Sequence, residues 1–361
     1  MYYQKLIKPL LFHLDPEKAH DSTIIFAKLA NENPLLRSLA HALYFYQPDL
    51  ISQDFGNVTF PSPVGLAPGF DKNGVIAPVF YDLGFGFVEV GSITAQPSEG
   101  NPKPRAFRLP ADHALINRMG LNNEGVEAII KRLSKSVMMI PLGVNIAKTH
   151  NPVLLGDAAI QDYVFSYGKC QRVADYITLN ISCPNTTEGK TFEQKDALNE
   201  LLTEISKLRT PASPPTLVKF SVDLNKKELQ ELVEICENHS IDGYVATNTS
   251  SKREHLKTNR AQLQVIGKGG LSGRPIHKKS TQIIHWIYEI TQGSKVIIGV
   301  GGIDSFESAL DKIKAGADLI QVYTGLLYEG PGLVKQINRG FDQLMKKHGL
   351  TEFSQIRDLF E

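Results

Sequence analysis

The stretch "DYITLNIS" (175–182) decides the fold of this chain. Its apolar and β-branched residues show no helical period, and the polar segment after it, "CPNTTEGK" (183–190), contains both proline and glycine. The pair therefore reads as a buried strand that opens into a loop. Seven other runs share this form: "PVGLAPG" (63–69), "GFVEVGSIT" (86–94), "LGVNIA" (142–147), "TLVKFSV" (216–222), "DGYVATN" (242–248), "KVIIGVG" (295–301) and "ADLIQVYTG" (317–325). Between most of them lies a segment of helix length with apolar residues three and four apart, such as "DALNELLTEISKLR" (196–209) and "KKELQELVEICENH" (226–239).

Eight alternating strand and helix units predict an α/β fold of the (β/α)8 TIM-barrel type, with the active site where the strands end. A doubly wound open sheet would place its ligand at one switch point instead of around a ring. The eight strand ends carry Asp71 and Lys72, Ser92, Asn145, Asn180, Lys219, Asn248, Gly302, and Tyr323 with Thr324, each a polar or glycine residue suited to ligand contact. Two segments break the repeat. Residues 95–123 form an insertion whose pieces "RAFRL" and "HALIN" predict a small hairpin over the barrel mouth. Residues 1–46 form a helical extension, so the chain divides into 1–46 and a barrel over 47–361.

In that extension, Asp15 as N-cap, Pro16 at the first helical position and Glu17 in the first turn start one helix, and Asn33 and Pro34 separate it from a second over 35–46. Their apolar stripes suit either a helical hairpin packed on the barrel or a pair of helices in a membrane interface, with a slot between them for an apolar ligand. No apolar run is long enough to span a bilayer.

The 39 Lys and Arg residues balance 38 Asp and Glu, leaving a formal charge of +1 and no basic tract for nucleic acid, so a small-molecule partner is expected. The three cysteines, Cys170, Cys183 and Cys236, form neither a disulfide framework nor a C-x-x-C pair, and no zinc site is expected. The glycine-rich segments "GKGGLSGRP" (267–275), "IIGVGGI" (297–303) and "VYTGL" (322–326) read as phosphate-binding loops after the last three strands, with Gly273, Gly302, Tyr323 and Thr324 as candidates. Lys72, Lys219, Asn117, Asn145, Asn180, Asn185 and Asn248 suit a flat polar ligand with carbonyl and amide edges, and Lys72 an anionic group. A lone cysteine is more often a packed sulfur than a reactive one. Cys183 stands between Ser182 and Pro184 in a strand-end loop, where access is expected, and a thiol there acts as base or nucleophile only as thiolate.

Together "APGFDKNG" (67–74), "EVGSITAQPSEGNPKPRAFRL" (89–109), "INRMGLNNEG" (116–125), "NISCPNT" (180–186), "VATNTS" (245–250), "GGLSGRP" (269–275), "IIGVGGI" (297–303) and "QVYTG" (321–325) resemble dihydroorotate dehydrogenase, in order and spacing, across nearly the whole chain. The N-terminal "LDPEKAH" is similar to the class 2, quinone-reducing, membrane-associated branch. The resemblance implies FMN as cofactor and oxidation of (S)-dihydroorotate to orotate in pyrimidine biosynthesis. It implies Lys72, Asn117, Arg118, Met119, Gly120, Leu121, Asn180, Asn185, Asn248 and Thr249 around the substrate. Pro68, Gly69, Phe70, Asp71, Lys72, Ser92, Asn145, Asn180, Lys219, Thr247, Gly273, Gly302, Tyr323 and Thr324 would lie around FMN, and His20, Arg108 and Tyr323 on a quinone path. It further implies a monomer held peripherally on the cytoplasmic face of the cell membrane.

One departure stands out. The class 2 loop normally carries serine as the base, written N-I-S-S-P-N, whereas this chain reads N-I-S-C-P-N as in class 1. Cys183 would then take the C5 proton of dihydroorotate, with Ser182 as the fallback. The rival readings are a class 1 enzyme using fumarate or NAD, and a non-catalytic flavin-binding barrel.

Overall fold

The computed structural model describes residues 3–182 and 191–360. After a single π-type turn, Tyr3–Ile7, come three helices, α1 (Lys8–His13), α2 (Pro16–Glu32) and α3 (Pro34–Tyr44). A short antiparallel hairpin follows, β1 (Gln53–Phe55) and β2 (Val58–Phe60). The remaining strands are β3 (Val64–Leu66), β4 (Phe87–Ile93), β5 (Ala106–Leu109), β6 (Ala114–Asn117), β7 (Leu142–Ile146), β8 (Tyr176–Asn180), β9 (Thr216–Phe220), β10 (Gly243–Ala246), β11 (Gly270–Gly273), β12 (Val296–Val300) and β13 (Leu319–Val322). Eight of them close a parallel barrel in the order β10-β12-β13-β3-β4-β7-β8-β9, and each falls within one of the eight runs read from the sequence.

Because side chains alternate along a strand, every second residue enters the barrel. At the strand starts these are Phe87, Tyr176, Leu217, Val245, Ile298 and Leu319, which form an apolar floor closed from below by Phe60 of β2. Fully burying an aliphatic or aromatic side chain of this kind contributes about 1.5–3 kcal/mol. A larger core, including Ile177, Leu179, Leu198, Leu201, Ile283 and Ile287, fills the shell between strands and helices.

The hairpin over the mouth is present as β5 and β6, with Phe107 opposite Ile116 and Arg108 opposite Leu115. The segment around 270 is not a loop: Gly270–Gly273 is β11, paired antiparallel with β6 as the third strand of that sheet. Its glycines permit this close pairing, since a Cβ on Gly269 would lie 2.7 Å from the Asn117 carbonyl oxygen. The β1–β2 hairpin and helix α1 are further elements, without a separate signal in the sequence pattern.

Helix α2 starts as its cap predicts, with the Asp15 carboxylate accepting from the backbone N–H of Glu17 at 2.9 Å and of Lys18 at 3.1 Å. Asn33 caps α3 in the same way, and Pro34 occupies its first turn. The outward faces of these helices leave Leu6, Leu10, Ile25, Phe26, Leu29, Leu35, Leu39 and Leu43 exposed, Leu35 by 80%. Among the described residues no helix is long and apolar enough to cross a membrane.

Candidate functional site

The strand ends, the hairpin and the N-terminal helices enclose one cavity of about 750 Å³. At its inner end lie Lys72, Ser92, Asn180, Lys219, Thr247, Asn248 and Thr249. Its sides are made by Pro68, Gly69, Phe70, Asn117, Met119, Gly120 and Leu121, and by the glycine segments through Gly273, Gly302, Tyr323 and Thr324. The outer end runs between α2 and the hairpin past His20, Phe26, Ala27 and Arg108. The cavity is thus polar where the barrel strands end and richer in apolar side chains, among them Leu11, Phe12, Phe26, Ala27 and Ala30, where the N-terminal helices cover it.

Three expected residues do not line it. Asp71 is buried and turned into its own loop, where its carboxylate accepts from the backbone N–H groups of Val75 and Ile76 at 2.9 and 2.8 Å. Arg118 donates to the carbonyls of Lys268 and Pro104, each at 3.1 Å, and lies over the Phe107 ring, bracing the loop rather than facing the cavity. Asn145 is fully buried below Ser92, whose hydroxyl it accepts. Cys183 and Asn185 lie outside the described residues. Ser182 is buried, donating to the Lys219 carbonyl oxygen at 3.0 Å and accepting from Asn248 Nδ2 at 3.1 Å, so its hydroxyl is engaged between strands.

A chain of hydrogen bonds orients the amides. Asn248 Nδ2 donates to Asn180 Oδ1 at 3.1 Å, and Asn180 Nδ2 donates to Ser92 Oγ at 2.9 Å. The Ser92 hydroxyl passes its own proton donation to Asn145 Oδ1. Tyr163 fixes the end of β8 by donating to the Asn180 carbonyl oxygen at 2.7 Å.

Burial also sets the charges. The Lys72 ammonium is pushed down to about 8 by desolvation, with Asp21 and Glu17 partly opposing that fall. His20 is held below its ordinary value by burial and then by the Lys72 charge. Its Nε2 donates to the Phe70 carbonyl oxygen at 2.8 Å. Burial pushes the Tyr323 phenol up to about 12, which keeps it a neutral donor. Cys170 and Cys236 are fully buried behind the barrel, and burial pushes both thiols up.

Two residues that the sequence reading passed over belong to this site. Gln321 lines the cavity, and Glu89 lies fully buried beneath it. Each stands in a strand already recognised, "GFVEVGSIT" and "ADLIQVYTG", as a polar residue in an otherwise apolar run. A buried carboxylate or amide in such a place requires partners, and that was the available signal.

The side chains above the floor test whether a flat polar cofactor fits. Thr247 Oγ1 and Gln321 Oε1 are buried and have no hydrogen-bond partner among the described residues, although both residues line the cavity. Buried polar atoms are rarely left in that state. A ligand with donor and acceptor edges seated there would satisfy both, so the residues present fit such a group.

A closed parallel barrel with its ligand cavity at the strand ends defines the chain as a (β/α)8-barrel enzyme. Within that class it belongs to the dihydroorotate dehydrogenase family, whose model matches residues 50–345. It is 42% identical over 355 residues to a dihydroorotate dehydrogenase (quinone) of Natronomonas pharaonis, covering 98% of this chain and 97% of that protein. A protein of the same name from Deinococcus deserti is 42% identical over 364 residues, covering 99% and 98%. Among solved structures, DHODH from Eimeria tenella in complex with ferulenol superposes with a TM-score of 0.85 at 32% identity, covering 96% of each chain.

Proposed function

We propose that this chain oxidises (S)-dihydroorotate to orotate in pyrimidine (UMP) biosynthesis and delivers the electrons to a membrane quinone, with FMN in the barrel mouth. The observation that carries this reading is the continuity of the cavity, which joins a polar end at the barrel strands to an apolar end under α2. A polar heterocycle and an apolar quinone can therefore approach one bound cofactor from opposite ends. Bound FMN would supply the two-electron acceptor that the side chains lack.

The residues have separable tasks in this reading. Lys72 neutralises the substrate carboxylate, while Asn117, Asn180 and Asn248 hold the pyrimidine edges. Lys219, Thr247 and Gln321 meet the cofactor ring, and Gly273, Gly302 and Thr324 hold its phosphate, where backbone N–H groups can approach. Cys183, chosen on its sequence position alone, takes the C5 proton. His20, Arg108 and Tyr323 border the quinone path.

The same reading assigns residues 1–46 as a quinone-access extension on a barrel of 47–361. Peripheral attachment on the cytoplasmic side of the cell membrane belongs to the same reading, and the exposed apolar faces of α2 and α3 support the attachment itself. We propose a monomer. The test is dihydroorotate oxidation by the purified protein with a soluble quinone, beside parallel assays with fumarate or NAD. Quinone-dependent turnover is expected, and preference for fumarate would favour the class 1 alternative. Bound flavin without turnover would favour the binding-only barrel.

A further inference from the structure

Lys312 is fully buried on the helix Phe306–Lys314, on the same face as Ala309 and Ile313. An ammonium group carries three donors, and here each finds an acceptor on the neighbouring helix His277–Thr291. These are the His277 carbonyl oxygen at 2.8 Å, Ser280 Oγ at 3.2 Å and Thr281 Oγ1 at 2.7 Å. All three acceptors are neutral, and burial pushes the ammonium down to about 7. An apolar side chain of similar length could fill the same space without desolvating a charge. Nor do the hydroxyls depend on the lysine: Ser280 donates to the Val300 carbonyl oxygen and Thr281 to the His277 carbonyl oxygen. What the ammonium adds is a tie between the first turns of one helix and the helix beside it.

Those turns are the surface on which the glycine segment after β12 lies. A Cβ on Gly301 would stand 2.9 Å from Ser280 Oγ, and one on Gly302 would stand 2.6 Å from His277 Cβ. Both glycines have positive φ, +124° and +71°, so the segment fits only in this close form. On the other side, the single 3-10 turn Arg274–Ile276 is all that separates Gly273, at the end of β11, from His277. Gly273, Gly301, Gly302 and Thr324 all line the cavity.

We propose that Lys312 is a positioning residue for the phosphate end of the cofactor, holding the start of the helix His277–Thr291 so that Gly302 on one side and Gly273 on the other keep the spacing of a phosphate cradle. This rests on the reading of FMN in that cavity. Lys312 acts through other groups: through Ser280 on the Val300 carbonyl, and through His277 on the packing of Gly302. Backbone N–H groups bind a phosphate only when their directions are fixed, and a glycine segment has no side chains of its own to fix them. The ring end of the cofactor is assigned to side chains in or next to β9, β10 and β13, which the barrel ladder places independently of this tie. Loss of the tie therefore falls on the phosphate and spares the ring.

The experiment compares FMN with riboflavin, which lacks only the phosphate, by fluorescence titration of the full flavin-free chain in wild type, Lys312→Met and Ser280→Ala. Lys312→Met is expected to fold, because both hydroxyls keep acceptors of their own. It should weaken FMN at least about tenfold, on the order of one hydrogen bond to a charged group, and change riboflavin by less than about twofold. Ser280→Ala, which removes the link from Lys312 to Val300, should lower the preference for FMN in the same sense. Equal losses of FMN and riboflavin would show a general structural role and overturn the proposal, as would a preference left unchanged in either variant. If Lys312→Met does not fold, the preference measured in Ser280→Ala decides. A wild-type chain that binds neither flavin defeats the FMN reading and this proposal with it. That failure is distinct from a wild-type preference for FMN that survives both substitutions, which overturns the role of Lys312 alone.

Discussion

His20 on α2 and Phe70 in the loop after β3 are joined by a 2.8 Å hydrogen bond from the imidazole Nε2 to the backbone carbonyl. The same loop carries Lys72, and the Lys72 charge is one reason the imidazole resists protonation. This side chain therefore links the N-terminal extension directly to the loop at the inner end of the cavity. His20→Ala is expected to slow electron delivery to a quinone more than it slows bleaching of the flavin by dihydroorotate. The two half-reactions, followed separately by stopped flow, check this. The histidine also gives a pH dependence. A depressed folded-state value means the native protein takes up this proton less readily than the unfolded chain. Stability from this group is then full above the ordinary histidine value of about 6.5 and is lost as pH falls through the lowered one. Thermal midpoints of wild type and His20→Asn should converge at the acid end.

Lys72 is expected to set the upper pH limit for substrate binding. Its ammonium is pushed down to about 8, so the charge is present below that pH and disappears as pH rises through it. The KM for anionic dihydroorotate should rise over that range. Lys72→Met should flatten the profile and weaken binding by about 2 kcal/mol, roughly 30-fold.

Thr247→Val should separate ligand affinity from protein stability. The hydroxyl Oγ1 is buried with no partner among the described residues. Replacing it by a methyl should leave the thermal stability of the FMN-free protein unchanged or raised. FMN affinity should fall about tenfold if that hydroxyl bonds the cofactor, a loss of about 1–1.5 kcal/mol. Fluorescence titration of the FMN-free protein provides the measurement.

Glu17 and Arg105 clamp α2 to the insertion over the mouth, at 2.8 Å with both side chains about one-tenth exposed or less. Burial alone would raise the Glu17 value, but hydrogen bonds from Arg105 and Lys103 outweigh it and hold the carboxyl below its usual range. This stabilisation is present above the ordinary glutamate value and is lost as pH falls through the lowered one. Glu17→Gln leaves the Arg105 guanidinium short of its counter-charge and should cost about 3 kcal/mol in denaturant unfolding at neutral pH.

Alkylation should be selective. Cys170 and Cys236 are fully buried and their thiols are pushed up, so neither offers thiolate to a reagent in the native state. Native protein should take up one equivalent of iodoacetamide, at Cys183, with loss of turnover. Mass spectrometry of labelled peptides beside residual activity checks both parts, and full labelling with turnover intact would remove Cys183 as the base.

The barrel was legible because eight strands must each bury both faces and so write themselves as apolar runs, while their ends, released from that constraint, carry Lys72, Asn180, Lys219 and Asn248. The caps of α2 and α3 were equally legible, since Asp15 and Asn33 act within one turn of their own position. What the sequence could not supply was every relationship between residues distant along the chain. The pairing of β11 with β6 depends on partners more than 150 residues apart. The amides of Asn145 and Gln321 are held by Glu89, which reaches them only once the barrel closes. Strand period assigns a side chain to the inside or the outside of a strand, but whether an inward carboxylate meets water, an amide or an ammonium is decided by the strands across the barrel.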